Sequence, residues 1–293
     1  MTIDSYLRSS SALLQRSKVV TYRLDALVLL SYVLGLSKAQ ILAQPDDLLD
    51  SKQLKVLNSL VAKRSRHIPI AQLTNSCEFY GRKFIIDEHV MQPRPESEAM
   101  IESLKMIIAD DKHLASLVSP NEGDLDEQKV PEMLTIADIG TGSGALGITA
   151  FMELRNTHVD LFDISSEALV VAKNNVVFHT ISVNVIQSDL LSNVTAQYHI
   201  YLANLPYVPD NMQLNLSAEF EPPIAIFGGQ DGLDVYRQMF KSLVTSQHRP
   251  LYILTESFPG DHSSLEAIAL SSNYSLHDTN DFIQVYELNN NSM

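Results

Sequence analysis

Apolar positions along this chain follow one period up to about Arg66 and another from Glu96 onward. In the first stretch they recur at helical spacing, three to four residues apart. Met1 to Lys18 reads as a first amphipathic helix, and Tyr22 to Leu34 is apolar on one helical face and stops at Gly35, a natural C-terminal stop. Ser37-Lys38-Ala39-Gln40 has the letters of a capping box, with Leu36 and Ile41 at hydrophobic-staple positions. Asp50 to Gln53, between Leu49 and Leu54, repeats both devices and predicts a helix running to about Arg66. Three or four short helices make a small bundle, assigned to residues 1–75. Ile68-Pro69 breaks the helical pattern. Glu78 to Ile86 then alternates around Gly81 and predicts a β-hairpin, placed in a linker over residues 76–95.

From Glu96 the pattern alternates between helix and strand. A helix is predicted from about Ser97 to Ile108, then an acidic, Pro- and Gly-containing stretch from Asp110 to Glu132 that reads as a mobile surface loop. Strands follow at Leu134–Ile139, Val159–Phe162, Val183–Ile186, Ile200–Ala203 and Leu251–Thr255, and a closing pair at Tyr274–His277 and Phe282–Leu288. Helices fall between them, near Ala145–Leu154, Glu167–Phe178, Val235–Val244 and Ser263–Leu270. This rhythm predicts βαβ crossovers and a mostly parallel sheet with a hairpin at one edge. The fold class is therefore α/β: a Rossmann-like, seven-stranded domain over residues 96–293 behind the helical bundle and hairpin.

Composition narrows the function classes. A chain of 293 residues with 45% hydrophobic content can bury a sizeable core. Its formal net charge of −14 disfavours nucleic acid and acidic membrane surfaces as direct partners. One cysteine, Cys77, excludes an intrachain disulfide and a cysteine-rich metal site, as suits a reducing cytoplasm. No secretory segment is read, and no apolar run reaches the roughly 18 residues of a membrane helix. The nine histidines show no ligand spacing, so no metal site is expected.

Two segments carry the chemistry. Asp138-Ile139-Gly140-Thr141-Gly142-Ser143-Gly144 follows an apolar run and precedes a helical one, the setting in which glycine lets backbone approach a ligand. Gly140, Gly142 and Ala145 match a degenerate dinucleotide pattern, and Asp163 lies 23 positions beyond Gly140, where an acidic ribose ligand belongs. NAD and S-adenosylmethionine both present a ribose diol there. Asp138 and the third glycine favour the methyl donor, which has no pyrophosphate to cradle. Ser188-Asp189, at the end of the third strand, is a candidate adenine contact, with Leu190 beside it. A glycine turn on its own is weak evidence, because tight turns need no ligand.

The second segment is Asn204-Leu205-Pro206-Tyr207, after the fourth strand. A planar NH₂ group, on an amide or an adenine ring, has two N–H donors and a delocalised lone pair that attacks poorly. The carboxamide oxygen of Asn204 and the backbone carbonyl of Leu205 can accept those donors and hold the nitrogen toward a methyl group. Pro206 stiffens the turn, and Tyr207 offers a ring face to a planar acceptor.

At these residues the chain resembles the peptide-chain-release-factor glutamine methyltransferases (PrmC/HemK). The likeness runs through Arg23-Leu24-Asp25-Ala26, Glu78-Phe79-Tyr80-Gly81, Pro93-Arg94-Pro95-Glu96-Ser97-Glu98, Asp138 to Gly144, Asp163-Ile164-Ser165, Asn204 to Tyr207 and Gly229-Gln230-Asp231-Gly232-Leu233. It implies a class I S-adenosylmethionine-dependent methyltransferase acting on the glutamine side-chain amide in the Gly-Gly-Gln motif of class I release factors, with the helical bundle docking that protein. It implies Asn204, Leu205, Pro206 and Tyr207 as catalytic residues. Asp138, Gly140, Thr141, Gly142, Ser143, Gly144, Asp163, Asp189, Leu190 and Asn204 are the implied cofactor-binding residues. The chain departs from the family at Leu205, where Asn-Pro-Pro-Tyr is usual, and at Leu190, where some relatives carry tryptophan. Asn280-Asp281-Phe282-Ile283 stands where a Gly-x-x-Arg ending is usual. Two other readings stay open: an adenine amino-group methyltransferase acting on RNA or DNA, and a catalytically silent protein that keeps the cofactor fold.

Overall fold

The computed structural model describes residues 1–118 and 132–289, organised as two units. The first comprises Met1–Cys77 and, from much later in the chain, Leu214–Phe220. It contains α1 (Ile3–Arg16), α2 (Tyr22–Leu34), α3 (Lys38–Ala43), α4 (Ser51–Arg64) and α5 (Ile70–Thr74). The capping signals are realised: Ser37 and Gln40 bond reciprocally at the start of α3, as do Asp50 and Gln53 at the start of α4. Each such cap contributes about 1 kcal/mol to its helix. Gly35 ends α2 in the left-handed conformation. Leu14, Leu29, Leu30, Ile41 and Leu57 are fully buried at the centre of the bundle.

Inside this apolar unit lies one buried ion pair, in which Arg64 Nε donates to Asp25 Oδ2 at 2.7 Å. The same guanidinium caps the end of α4 through the carbonyls of His67 and Ile68, and it reaches Ser217 Oγ at 3.2 Å. Gln72 Nε2 bonds the carbonyl of Phe220 at 3.0 Å. These contacts hold residues 214–220 in the helical unit, where the sequence had placed them in the domain from 96 onward. The sequence also missed α5, which begins directly after Pro69 because proline at that position leaves the following turn free to be helical.

The second unit comprises Glu78–Gln213 and Glu221–Met293. Two short strands, β1 (Ser76–Phe79) and β2 (Arg82–Ile85), pair in a small sheet, and the division between the units falls within β1. Next come α6 (Glu98–Asp110) and α7 (Lys112–Val118). The predicted acidic loop therefore begins as a helix, and its residues 119–131 lie outside the described residues. The larger sheet contains β3 (Leu134–Ile139), β4 (Thr157–Asp163), β5 (Asn184–Gln187), β6 (Ile200–Ala203), β7 (Tyr252–Glu256), β8 (Tyr274–Asn280) and β9 (Ile283–Leu288). Between them run α8 (Ala145–Glu153), α9 (Ser166–Phe178), α10 (Asp234–Val244) and α11 (His262–Ser271).

The strand order is β5-β4-β3-β6-β7-β9-β8. β3 to β7 are parallel, whereas β9 is antiparallel to both β7 and β8, so the closing pair is the predicted edge hairpin. β8 runs three residues beyond the predicted His277, across a register shift between Leu276 and Asp278. Every residue of β6 and β7 is buried, as expected of central parallel strands covered on both faces. The chain winds outward from β3 through β4 to β5, then returns to place β6 on the other side of β3. A topological switch point therefore lies between β3 and β6, and ligands of such sheets bind outside the carboxyl ends of the strands there.

Candidate active site

Each motif emerges from the carboxyl end of a strand. The glycine turn follows β3, Asp163 ends β4, Ser188 follows β5, Asn204 follows β6 and Glu256 ends β7. All of these except Glu256 border one cavity of about 240 Å³. Its wall includes Gly140, Thr141, Gly142, Ser143, Asp163, Asp189, Leu190, Asn204, Leu205 and Pro206 among the predicted site residues. It also includes Phe79, His89, Val90, Met91, Pro93 and Ser97, which the sequence reading had assigned to a linker or left without a role. Phe79 of the hairpin and the segment that follows β2 thus form part of the cavity wall. Asn175 secures it, accepting from the Ile85 N–H while its Nδ2 donates to the carbonyls of Ile85 and Ser143.

The glycine turn is shaped by both conformation and space. Gly140 has φ +72°, and a Cβ there would lie 2.9 Å from Leu205 Cδ2, so the two signature segments meet directly. Asp138, expected to bind cofactor, is absent from the cavity wall and 1% exposed. Its Oδ2 accepts from Thr141 Oγ1 at 2.6 Å and from the Gly147 N–H at 2.9 Å, tying strand end, turn and α8 together. Burial pushes its carboxyl up to about 6, against these two hydrogen bonds and with a small further push from Asp163.

Asp163 does face the cavity. Its Oδ2 accepts from the Gly142 N–H at 2.8 Å and its Oδ1 from the Ser165 N–H at 2.9 Å. A carboxylate oxygen has two lone pairs, so both remain able to accept from a diol. Burial raises this carboxyl as well. Ile164, 45% exposed, and Leu190 line the same cavity and add apolar side chains on which a flat ring can pack. The free acceptor capacity of Asp163, the close backbone approach at the glycine turn and the apolar lining fit an adenosyl group.

The acceptor turn is held from beneath. Asn204 Nδ2 donates to Ser97 Oγ at 3.0 Å and to Glu256 Oε2 at 2.9 Å. Its Oδ1 is buried and has no hydrogen-bond partner among the described residues. Tyr207 does not line the cavity; its hydroxyl donates to Glu256 Oε1 at 2.9 Å, and its ring meets Phe258 edge-on at 5.1 Å. Burial raises the Glu256 carboxyl, opposed by hydrogen bonds from Ser97, Tyr207 and Asn204. Glu256 was missed because nothing local marks one carboxylate at the end of an apolar strand.

The Gly228–Gly232 loop explains its own glycines. A Cβ on Gly228 would lie 2.4 Å from the Pro206 carbonyl oxygen, so the loop backbone rests on the acceptor turn. Val208 donates to the Ile226 carbonyl, and Gly228 donates back to that of Val208. Outside the cavity lining, Arg94 pairs with the buried Glu221. Two groups of possible metal ligands do come together among the described residues: His113, Glu132 and His199, and Asp87, Glu88 and His89. In the first, His199 Nδ1 accepts from the Thr135 N–H, which leaves the proton on Nε2 rather than a lone pair for a metal.

Residues 5–74 match the PrmC N-terminal domain, and residues 125–220 match the methyltransferase small domain. The chain is 35% identical over 222 residues to the release factor glutamine methyltransferase of Bacillus cereus, an alignment covering 74% of this chain and 72% of that one. The chain belongs to the release factor glutamine methyltransferase family. It is also 29% identical over 248 residues to a bifunctional methyltransferase of Rickettsia bellii, covering 80% of this chain and 45% of the relative. The chain thus spans less than half the length of that relative. Among solved structures, the catalytic domain of hMettl16 in complex with MAT2A 3′UTR hairpin 6 superposes with a TM-score of 0.53 at 12% identity, over 80% of this chain and 84% of that one. At that identity the likeness is one of fold. The family member described here has the class I S-adenosylmethionine-dependent methyltransferase fold, with a helical N-terminal unit. No helix among the described residues is long and apolar enough to cross a membrane.

Proposed function

We propose that this protein transfers a methyl group from S-adenosylmethionine to the side-chain amide nitrogen of the glutamine in the Gly-Gly-Gln motif of class I peptide chain release factors, in the cytoplasm. The observation that carries the reading is made at Asn204, a residue of the cavity wall whose Oδ1 is buried and has no partner among the described residues. A buried acceptor left unpaired costs about 1–3 kcal/mol, which a substrate N–H would recover.

S-adenosylmethionine supplies a methyl group activated on a sulfonium sulfur. Asp163 accepts from the ribose hydroxyls, the turn from Gly140 to Ser143 gives backbone access while Gly144, outside the cavity wall, packs against Ile148 and Leu161, and Asp189 and Leu190 border the adenine. Asn204 Oδ1 and the Leu205 carbonyl accept the two N–H bonds of the glutamine amide and fix its nitrogen for in-line attack. The same two dipoles favour the positive charge that develops on that nitrogen. The helical unit, which matches the PrmC N-terminal domain, docks the release factor.

The test is transfer of labelled methyl to a recombinant release factor, to its Gln→Ala variant in the Gly-Gly-Gln motif, and to ribosomal RNA. Label is expected on the intact release factor alone. Label on RNA alone would replace this reading with adenine methylation, and no transfer to any substrate would favour a silent binding protein.

A further inference from the structure

The two carboxylate oxygens of Glu256 are divided between the two ends of the acceptor turn. Oε2 accepts from Asn204 Nδ2 at 2.9 Å, and Oε1 accepts from Tyr207 Oη at 2.9 Å. Glu256 is 1% exposed and does not border the cavity, so it acts through these neighbours. We infer that Glu256 is a positioning residue for methyl transfer: it decides which end of the Asn204 amide faces the substrate.

The need for such a device follows from the shape of asparagine. Oxygen and NH₂ occupy almost the same space, and a half-turn about the last side-chain bond exchanges them. With the NH₂ toward the cavity, Asn204 would present a donor to a substrate NH₂ that also donates, and the amide would be turned away. Ser97 Oγ cannot prevent this alone, because a hydroxyl donates or accepts as required. An ionised carboxylate only accepts, so Glu256 draws Nδ2 to itself and leaves Oδ1 for the substrate. Its second oxygen keeps Tyr207 seated against Phe258, which fixes the far end of the same four-residue turn.

This inference rests on the proposed glutamine methylation, and its test separates the two. In the full-length protein, Glu256→Gln and Glu256→Ala are each made alone and combined with Asn204→Ala, with the release factor as substrate. Glutamine keeps the shape of glutamate but brings a donor to one end, so Glu256→Gln should lower kcat about tenfold or more, with the cofactor Kd changed less than about twofold. In the Asn204→Ala background the same change should cost less than about twofold further, because its target is gone. Wild-type kcat in Glu256→Gln, or the same loss in both backgrounds, would overturn the positioning role. If Glu256→Ala fails to fold, the isosteric glutamine variant still decides the outcome. A wild-type protein that leaves the release factor unmethylated overturns the acceptor reading itself, and this inference with it, before any variant is compared.

Discussion

The backbone N–H of Leu205 donates to the hydroxyl of Tyr236 at 3.2 Å, inside the protein. The same hydroxyl accepts from the Glu256 N–H at 3.2 Å and lies within hydrogen-bonding distance of the Ala203 and Glu256 carbonyls, at 2.8 and 2.7 Å. One tyrosine from α10 therefore joins the ends of β6 and β7 where both turn toward the cavity. At the departure from the family motif, Leu205 has an N–H that proline lacks, and Tyr236 receives it.

Tyr236→Phe should strand the Leu205 and Glu256 donors in a buried site and destabilise the protein by about 1–3 kcal/mol, read by denaturant unfolding. Leu205→Pro removes one of those donors and keeps the carbonyl. Alone it should leave methyl transfer equal or higher, and in the Tyr236→Phe background it should recover part of the lost stability. A collapse of activity in Leu205→Pro would mean that the turn presents its carbonyl differently from an Asn-Pro-Pro-Tyr turn.

Asn204→Ala should lower turnover about a hundredfold or more while cofactor binding changes little, since the poorly nucleophilic amide is then no longer held for attack. Single-turnover rates beside calorimetric cofactor affinity separate the two effects. A parallel loss of cofactor affinity would place Asn204 in cofactor binding rather than acceptor orientation.

Asp163→Ala should weaken S-adenosylmethionine binding about tenfold to a hundredfold, the equivalent of losing a charge-assisted hydrogen bond worth about 1.5–3 kcal/mol. Asp163→Asn keeps an oxygen for the Gly142 N–H and should fall between wild type and the alanine variant. Calorimetry that finds unchanged affinity in both variants would move the ribose elsewhere.

Asp138 makes stability pH-dependent in an uncommon direction. Its folded pKa of about 6 lies above the ordinary aspartate value, so between about pH 4 and 6 the folded state holds a proton that the unfolded state has released. Its contribution is therefore fully present below about pH 4, is lost as pH rises to 6, and changes no further above that. Asp138→Asn removes the titration and leaves an oxygen for Thr141 and Gly147. The stability of the variant relative to wild type should rise by up to about 3 kcal/mol from pH 4 to 6 and then level off. A difference that stays flat from pH 4 to 7 would show that Asp138 titrates normally.

The legible parts of this protein were those whose signal is local. Ser37 with Gln40, and Asp50 with Gln53, announce helix starts because both halves of each cap lie within one turn. The parallel strands read as apolar runs because helices cover both faces, and Gly140 and Asn204 stood out because few residues serve a turn at a strand end. α5 and α7 were passed over because five- and seven-residue helices carry too few periods to register.

Taken alone, the order of residues determined the α/β class, the seven strands and the residues at their carboxyl ends, since hydrophobic period and turn chemistry act over a few neighbouring positions. Tertiary structure decided what those residues face. It withdrew Asp138 from the cavity into a buried clamp, drew the segment after Phe79 into the wall, and carried Leu214–Phe220 to the helical unit. It also brought Glu256 to Asn204 across 52 positions of sequence. Burial and pairing of this kind depend on which strands become neighbours, and the placement of β6 between β3 and β7 brings distant residues together without leaving a mark on the sequence around any of them.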